Sequence, residues 1–377
     1  MDDSVPEITA VPGEFTLHEI STQGESWRSA VEATLALKEP LLNLFTRNAG
    51  RTVIFVGCGS THYLAQYAAP FFQSVTGIPC RAAPSSELLL YPDTLVARDG
   101  LPLVVALSRS GETSESILAV EKMRARGGDA LAISCYDLTP LSAACSLTVG
   151  IPSGRERSFA QTRSFAGMLV AVQALAGLIA EDKRLLAELA RLPDLASEII
   201  ERAKPVARVW GTNEEVKRIT YLGSGPLYGL ANEATVKVKE MSLSVAEGYH
   251  FMEFRHGPLA LVDGEHLIVA LLSDATRDYE VGVLRDLKER GARILAIANH
   301  AHGVGEVCEA VFTLDSALPE RARAVLYMPF LQLFAYYRSM ARGLNPDRPR
   351  NVVMAIKLQG TEMVPPAKLP TILSENH

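Results

Sequence analysis

The chain repeats itself, and a repeat of long period constrains the fold more than any single motif does. Val53-Ile54-Phe55-Val56-Gly57-Cys58-Gly59 followed by Leu64-Ala65 matches Ile219-Thr220-Tyr221-Leu222-Gly223-Ser224-Gly225 followed by Leu230-Ala231, with the glycines and the Leu-Ala pair at one constant offset. The run from Leu103 to Leu107 pairs with Leu267 to Leu271, and Leu131 to Ile133 with Leu295 to Ile297, in the same order. Each run is short, continuous and apolar, the pattern of strands buried on both faces of a parallel sheet. Between them, Ile117 to Arg126 and Tyr279 to Arg290 carry apolar residues at helical spacing and end at Gly127-Gly128 and Gly291. The alternation predicts right-handed crossovers and an α/β fold of two tandem doubly wound parallel sheets. Ligands of such sheets lie at the carboxyl ends of the strands.

At 377 residues the chain is too long for one comfortable core, so two domains are expected. The expected layout is an N-terminal helical arm over 1–45, domains over 46–200 and 201–350, and an extended tail over 351–377 containing Pro365-Pro366 and Pro370. A net charge of -6 and a pI near 5.8 supply no basic field for a nucleic acid, whereas a small anion needs only a local site. The five cysteines are scattered and free of metal-binding spacing, and read as reduced cytosolic thiols. No apolar stretch follows the acidic start Met1-Asp2-Asp3-Ser4, and Met168 to Ala180 is interrupted by Gln173 and Gly177. The expectation is a cytoplasmic enzyme with no membrane or nucleic-acid partner.

Gly57-Cys58-Gly59-Ser60-Thr61-His62 follows a strand and opens a helix, so its backbone N–H groups can face an anion. It is not a dinucleotide fingerprint: His62 replaces the third glycine, and no P-loop lysine follows. By itself a plain strand-to-helix turn explains it equally well. Ser108-Arg109-Ser110-Gly111-Glu112-Thr113-Ser114 also sits between a strand and a helix, and clusters four hydroxyls. Hydroxyls beside helix N-terminal amides suit a phosphate dianion, and a helix cap needs only one of them.

With Ser158-Phe159-Ala160-Gln161-Thr162-Arg163-Ser164-Phe165, these segments resemble the sugar-isomerase (SIS) domain family, in particular the isomerase domain of glucosamine-6-phosphate synthase and related amino-sugar-phosphate deaminases. The resemblance runs from about residue 45 to 355 and implies flavodoxin-like sheets. It implies phosphate binding by Thr61, Ser108, Ser110 and Thr113, with a main-chain contribution at Arg109, and Ser60 is a further substrate-binding candidate. Gln161 stands where the family has a sugar-binding serine.

Glu233, Lys237 and Glu240 fall on one face of a helix at i, i+4 and i+7. Spacing alone favours an exposed ladder of ion pairs worth a few tenths of a kcal/mol. The stretch Glu253-Phe254-Arg255-His256-Gly257-Pro258 resembles the family's histidine-glycine-proline motif, and absent that resemblance His256 reads as a turn histidine. The resemblance implies that Glu240 moves a proton between C1 and C2, that Lys237 is a sugar-site lysine, and that His256 opens the ring from the partner subunit of a homodimer with shared sites. A carboxylate and a near-neutral histidine suit an enediol or enolamine pathway, for which no metal or cofactor is called. With a short arm at the start, the expectation is that the synthase's glutaminase domain is absent, and Met354 stands where the synthase has its Schiff-base lysine, with Lys357 a nearby amine. Both departures point to the catabolic direction, deamination of an amino-sugar phosphate or plain aldose–ketose isomerisation, with a non-catalytic sugar-phosphate sensor as the rival reading.

Overall fold

The matched runs form the central strands of two sheets. In the first, β1 (Val53–Gly57), β2 (Cys80–Pro84), β3 (Leu103–Ser108), β4 (Asp129–Ser134) and β5 (Leu147–Gly150) lie in the order β2-β1-β3-β4-β5. In the second, β6 (Arg218–Gly223), β7 (Val245–Tyr249), β8 (His266–Leu271), β9 (Arg293–Ala298) and β10 (Ala310–Thr313) take the order β10-β9-β8-β6-β7. Every pairing is parallel, and read from the opposite edge the second order repeats the first. This is the flavodoxin-like doubly wound arrangement, built twice. The computed structural model describes residues 11–97 and 100–358; Pro365-Pro366 and Pro370 lie outside the described residues, and 351–358 contain no helix or strand.

Alternation along the strands sends side chains to two different cores. Phe55, Val105, Leu107 and Ile133 from the first sheet and Tyr221, Val269, Leu271 and Leu295 from the second belong to one continuous cluster. Ile54, Val56, Val104 and Ala106 face a separate outer cluster, as do Ile268, Ala270, Ile294 and Ala296 on the second sheet. The halves therefore share a core, filled by the helices Ser60–Thr76, Arg163–Ile179, Leu227–Ser242 and Met328–Ala341. Burial of nearly the whole Arg163–Ile179 helix explains why it is apolar all round. Among the described residues no helix is long and apolar enough to cross a membrane.

The arm comprises the helices Glu14–Ser21, Gln23–Ala36 and Lys38–Arg47, with Ile20 and Trp27 wholly buried. The Asp347 carboxylate ties it to the end of the second half, accepting from Gly13 N (3.0 Å), Thr16 N (2.8 Å) and Thr16 Oγ1 (2.7 Å). One close approach sets the geometry of everything below. The helix Leu227–Ser242 lies so near Ser60–Thr76 that a Cβ added at Gly229 would stand 2.4 Å from Tyr67 N and 2.7 Å from Tyr63 O. Only glycine admits that contact, and Asn232 Nδ2 fastens it by donating to Gln66 Oε1 at 2.7 Å.

Candidate active site

The strand order reverses between β1 and β3, and the crevice at their carboxyl ends is the binding place of this topology. Both hydroxyl-rich turns open there. Gly57 has no room for a Cβ, which would meet the Thr61 carbonyl at 2.5 Å, and Gly59 takes φ 56°. Thr61 Oγ1 accepts from Cys58 N and donates to Cys58 O, each at 2.9 Å, and both Ser60 and Thr61 are buried. On the β3 side Ser108 Oγ accepts from Gly111 N (3.0 Å) and Ser110 Oγ from Glu112 N (3.2 Å). Thr113 is the N-cap of the helix Ser114–Ala125, yet its side chain makes no capping bond. Its hydroxyl is thus not consumed by the local role that sequence alone allowed it.

Arg109 turns its side chain away from the crevice. Buried, it donates through Nη1 to Phe159 O (2.8 Å) and through Nη2 to Met354 O (3.2 Å), with Glu156 3.5 Å away. Gln161 sits half-buried at the start of the Arg163–Ile179 helix, its Oε1 3.5 Å from Ser164 Oγ. The described tail crosses the same turn: Ser114 N donates to Ile356 O at 3.2 Å, and Lys357 pairs with Glu112 at 3.2 Å. Lys357 is exposed and engaged there, and Met354 offers its carbonyl to Arg109.

The equivalent crevice of the second half, between β6 and β8, is filled by the chain's own carboxylate. Glu280 accepts from Ser273 N and Thr276 Oγ1, both at 2.8 Å, and is buried. Burial raises its pKa, opposed by the hydroxyls of Ser224 and Thr276 and the Ser273 amide. At this place the second half puts its own Glu280 side chain, whereas the matching turn of the first half carries Ser108, Ser110 and Thr113.

The helix Leu227–Ser242 carries the second cluster, and here the structure corrects what spacing favoured. The row is buried rather than an exposed ladder: the side chains of Glu233 and Lys237 are 0% exposed and that of Glu240 is 26% exposed. Lys237 Nζ donates to Glu240 Oε2 at 2.8 Å and lies 3.4 Å from Glu233 Oε1. Burial works against the Lys237 ammonium, but Glu233 and Glu240 outweigh it and hold its pKa above the usual value. Burial pushes the Glu233 carboxyl up to about 7, with Lys237 and the Ser60 hydroxyl pulling the other way. Tyr63, on the facing helix, is also raised, by burial first and then by Glu233, Tyr228 and Glu240. The base candidate Glu240 is thus the solvent-reached end of a buried charge row that faces the Ser60 turn.

His256 lies on the turn after the short helix Phe251–Phe254, exposed, with Gly257 at φ 126° behind it. Among the described contacts nothing joins it to Glu240 within the chain. Two buried carboxylates carry no sequence signal of their own. Glu156 organises the Gln161 loop by accepting from Thr162 N (2.6 Å), Thr162 Oγ1 (2.8 Å) and Ser164 Oγ (2.5 Å). Glu19, from the arm, accepts from Arg157 N and from Ser158 Oγ, and is pushed up to about 7 by burial and then by Glu156.

The SIS domain family profile matches residues 47–178 and 214–306, more than half of the chain. The chain belongs to the SIS domain family. Among its relatives, a glutamine–fructose-6-phosphate aminotransferase (isomerizing) of Pyrobaculum aerophilum is 31% identical over 367 residues, covering 92% of this chain and 58% of that protein. The chain spans 56 to 59% of the length of such aminotransferases from Zymomonas mobilis and Pseudomonas syringae. Among solved structures, the tagatose-6-phosphate ketose/aldose isomerase of Escherichia coli superposes with a TM-score of 0.81 at 25% identity, covering 91% of this chain and 99% of that one. The glucosamine-6-phosphate deaminase of Thermotoga maritima gives 0.70 at 24% identity, covering 88% and 100%.

Proposed function

We propose that this SIS protein is a phosphosugar isomerase that acts on an amino-sugar phosphate of the glucosamine 6-phosphate type and releases ammonia. The observation that carries the reading is the Glu240–Lys237 pair, a solvent-reached carboxylate on a buried ammonium, set on the helix packed against the Ser60–Thr61 turn. The phosphate binds at the β1/β3 crevice through Ser60, Thr61, Ser108, Ser110, Thr113 and the Arg109 main chain. Glu240 takes the C2 hydrogen of the open-chain aldose as a proton and returns it to C1, while the proton lost from the C2 nitrogen is matched by one gained at O1. The resulting imine at C2 is hydrolysed by water, giving the ketose phosphate and ammonia. His256 opens the ring from a second copy of the chain, which accounts for its exposure and places two shared sites in a homodimer. With Met354 and a Lys357 paired to Glu112, the reaction runs without an imine to the described residues of the tail, 351–358.

Plain aldose–ketose isomerisation is the second reading, favoured by the likeness to the tagatose-6-phosphate ketose/aldose isomerase. Incubating the purified chain with glucosamine 6-phosphate and measuring ammonia and ketose phosphate together separates the two. Equal amounts of both products support deamination. Ketose formation from the plain aldose phosphates, with no ammonia from amino sugars, supports the second reading, and inertness toward all of them leaves a sensor.

A further inference from the structure

Glu233 takes no part in the proton transfer described above, yet it is the more deeply buried of the two carboxylates beside Lys237. Its side chain is 0% exposed, and neither oxygen makes a well-aligned hydrogen bond, with the Ser60 hydroxyl and the Lys237 ammonium as its polar neighbours. An ionised carboxylate so placed is costly unless a cation is within reach, and a neutral one without a partner is still costly. Lys237 Nζ stands between two seats, bonded to Glu240 at 2.8 Å and 3.4 Å from Glu233. We propose that Glu233 is a positioning residue, an alternative seat for the Lys237 ammonium, whose move there releases Glu240 to act as the base. The inference rests on the assignment of Glu240 made above.

The electrostatics give the move its consequence. While Nζ is bonded to Glu240 Oε2 at 2.8 Å, that oxygen is occupied by the ammonium. Once Nζ is drawn to an ionised Glu233, the Glu240 oxygen is left open to receive a proton without leaving its place. The groups around Glu233 are Lys237 and Glu240 on its own helix and Ser60 and Tyr63 on the helix facing it, while Tyr228 acts on Tyr63 and Glu156 acts on Lys237 from the Gln161 loop. Among these Lys237 is the one cation, so ionisation of Glu233 and displacement of Nζ go together. Burial holds the Glu233 carboxyl up to about 7, so the inner seat is closed in acid and opens as the pH passes that value.

The test is the dependence of kcat and KM for glucosamine 6-phosphate on pH, between about 5 and 9, in the wild-type chain and in Glu233→Gln. The wild-type kcat should climb through about pH 7, the value to which burial pushes Glu233. In Glu233→Gln, which keeps the shape but cannot ionise, that climb disappears and kcat on the alkaline side falls about tenfold, a partial loss of general-base catalysis, while KM is unchanged. A variant that keeps both the climb and the rate overturns the proposal. Carbon-13 NMR of the substrate-free wild-type chain, reading the Glu233 carboxyl and the Lys237 ε-carbon, tests the seat without the reaction. Both resonances titrating with one midpoint support it, even should the chain turn over no sugar phosphate, in which case the assigned reaction falls alone. A Lys237 signal that stays fixed while Glu233 titrates overturns the alternative seat whatever the chain turns over.

Discussion

Replacing Gly229 with alanine adds one methyl group where the two functional helices touch, and the structure sets the size of the effect. The new Cβ would lie 2.4 Å from Tyr67 N, 2.7 Å from Tyr63 O and 2.9 Å from Gln66 C, all of them main-chain atoms that no rotamer change can move. Ordinary contact begins at 3.4 Å, so the helices Leu227–Ser242 and Ser60–Thr76 must part by about 1 Å. Overpacking of this kind costs about 1–3 kcal/mol. Because one helix carries Glu240 and the other begins at Ser60 and Thr61, the same shift separates the proposed base from the phosphate turn. A displacement of about 1 Å at a reacting centre costs on the order of 10²-fold in rate. Urea denaturation of Gly229→Ala, read with kcat for glucosamine 6-phosphate, should show a folded protein of reduced stability and a disproportionately reduced kcat. Stability unchanged from wild type would refute the packing argument. Reduced stability with an intact kcat would refute the claim that this contact sets the catalytic geometry.

Replacing Ser108 and Thr113 together with alanine should raise the KM for the phosphorylated sugar while the fold survives, and an unchanged KM places the phosphate elsewhere. Mixing Glu240→Ala with His256→Ala chains under exchange conditions should restore activity, since a hybrid dimer holds one complete site; folded dimeric mixtures that stay inactive contradict the shared-site arrangement. Glu19, held up to about 7 against an ordinary 4.5, is protonated in the folded chain where the unfolded chain is ionised. Its contribution to stability is therefore full below 4.5 and is lost as the pH rises through about 7, about 3 kcal/mol at about 1.4 kcal/mol per pKa unit. Glu19→Gln should flatten that slope in denaturation curves taken across the window, and an unaltered slope would show that Glu19 is ionised in the fold.

The central strands were legible because they are buried on both faces and therefore continuously apolar, as in β3, β4, β8 and β9. The edge strands were not: β2, Cys80–Pro84, and β7, Val245–Tyr249, keep solvent on part of their surface and lack that run. The hydroxyl turns could be read because their chemistry is local to a strand-to-helix junction. The burial of Lys237 could not, since it arises from Gly229 letting a distant helix approach, and i, i+4 spacing reads the same on an exposed face as in a core. Glu19 and Glu156 were illegible for a related reason: their partners, Ser158 and the Thr162–Ser164 turn, are brought to them by the fold, and no residue pattern marks a carboxylate that caps a loop.

The central claim is that Glu240 moves the proton between C1 and C2, and exchange of the substrate's C2 hydrogen with deuterated water reads that step even where later ones fail. The wild-type chain should wash deuterium into C2 of glucosamine 6-phosphate. Glu240→Gln should lower that rate by on the order of 10² to 10⁴ while the substrate still binds through its phosphate. Exchange persisting at the wild-type rate in Glu240→Gln would contradict the account.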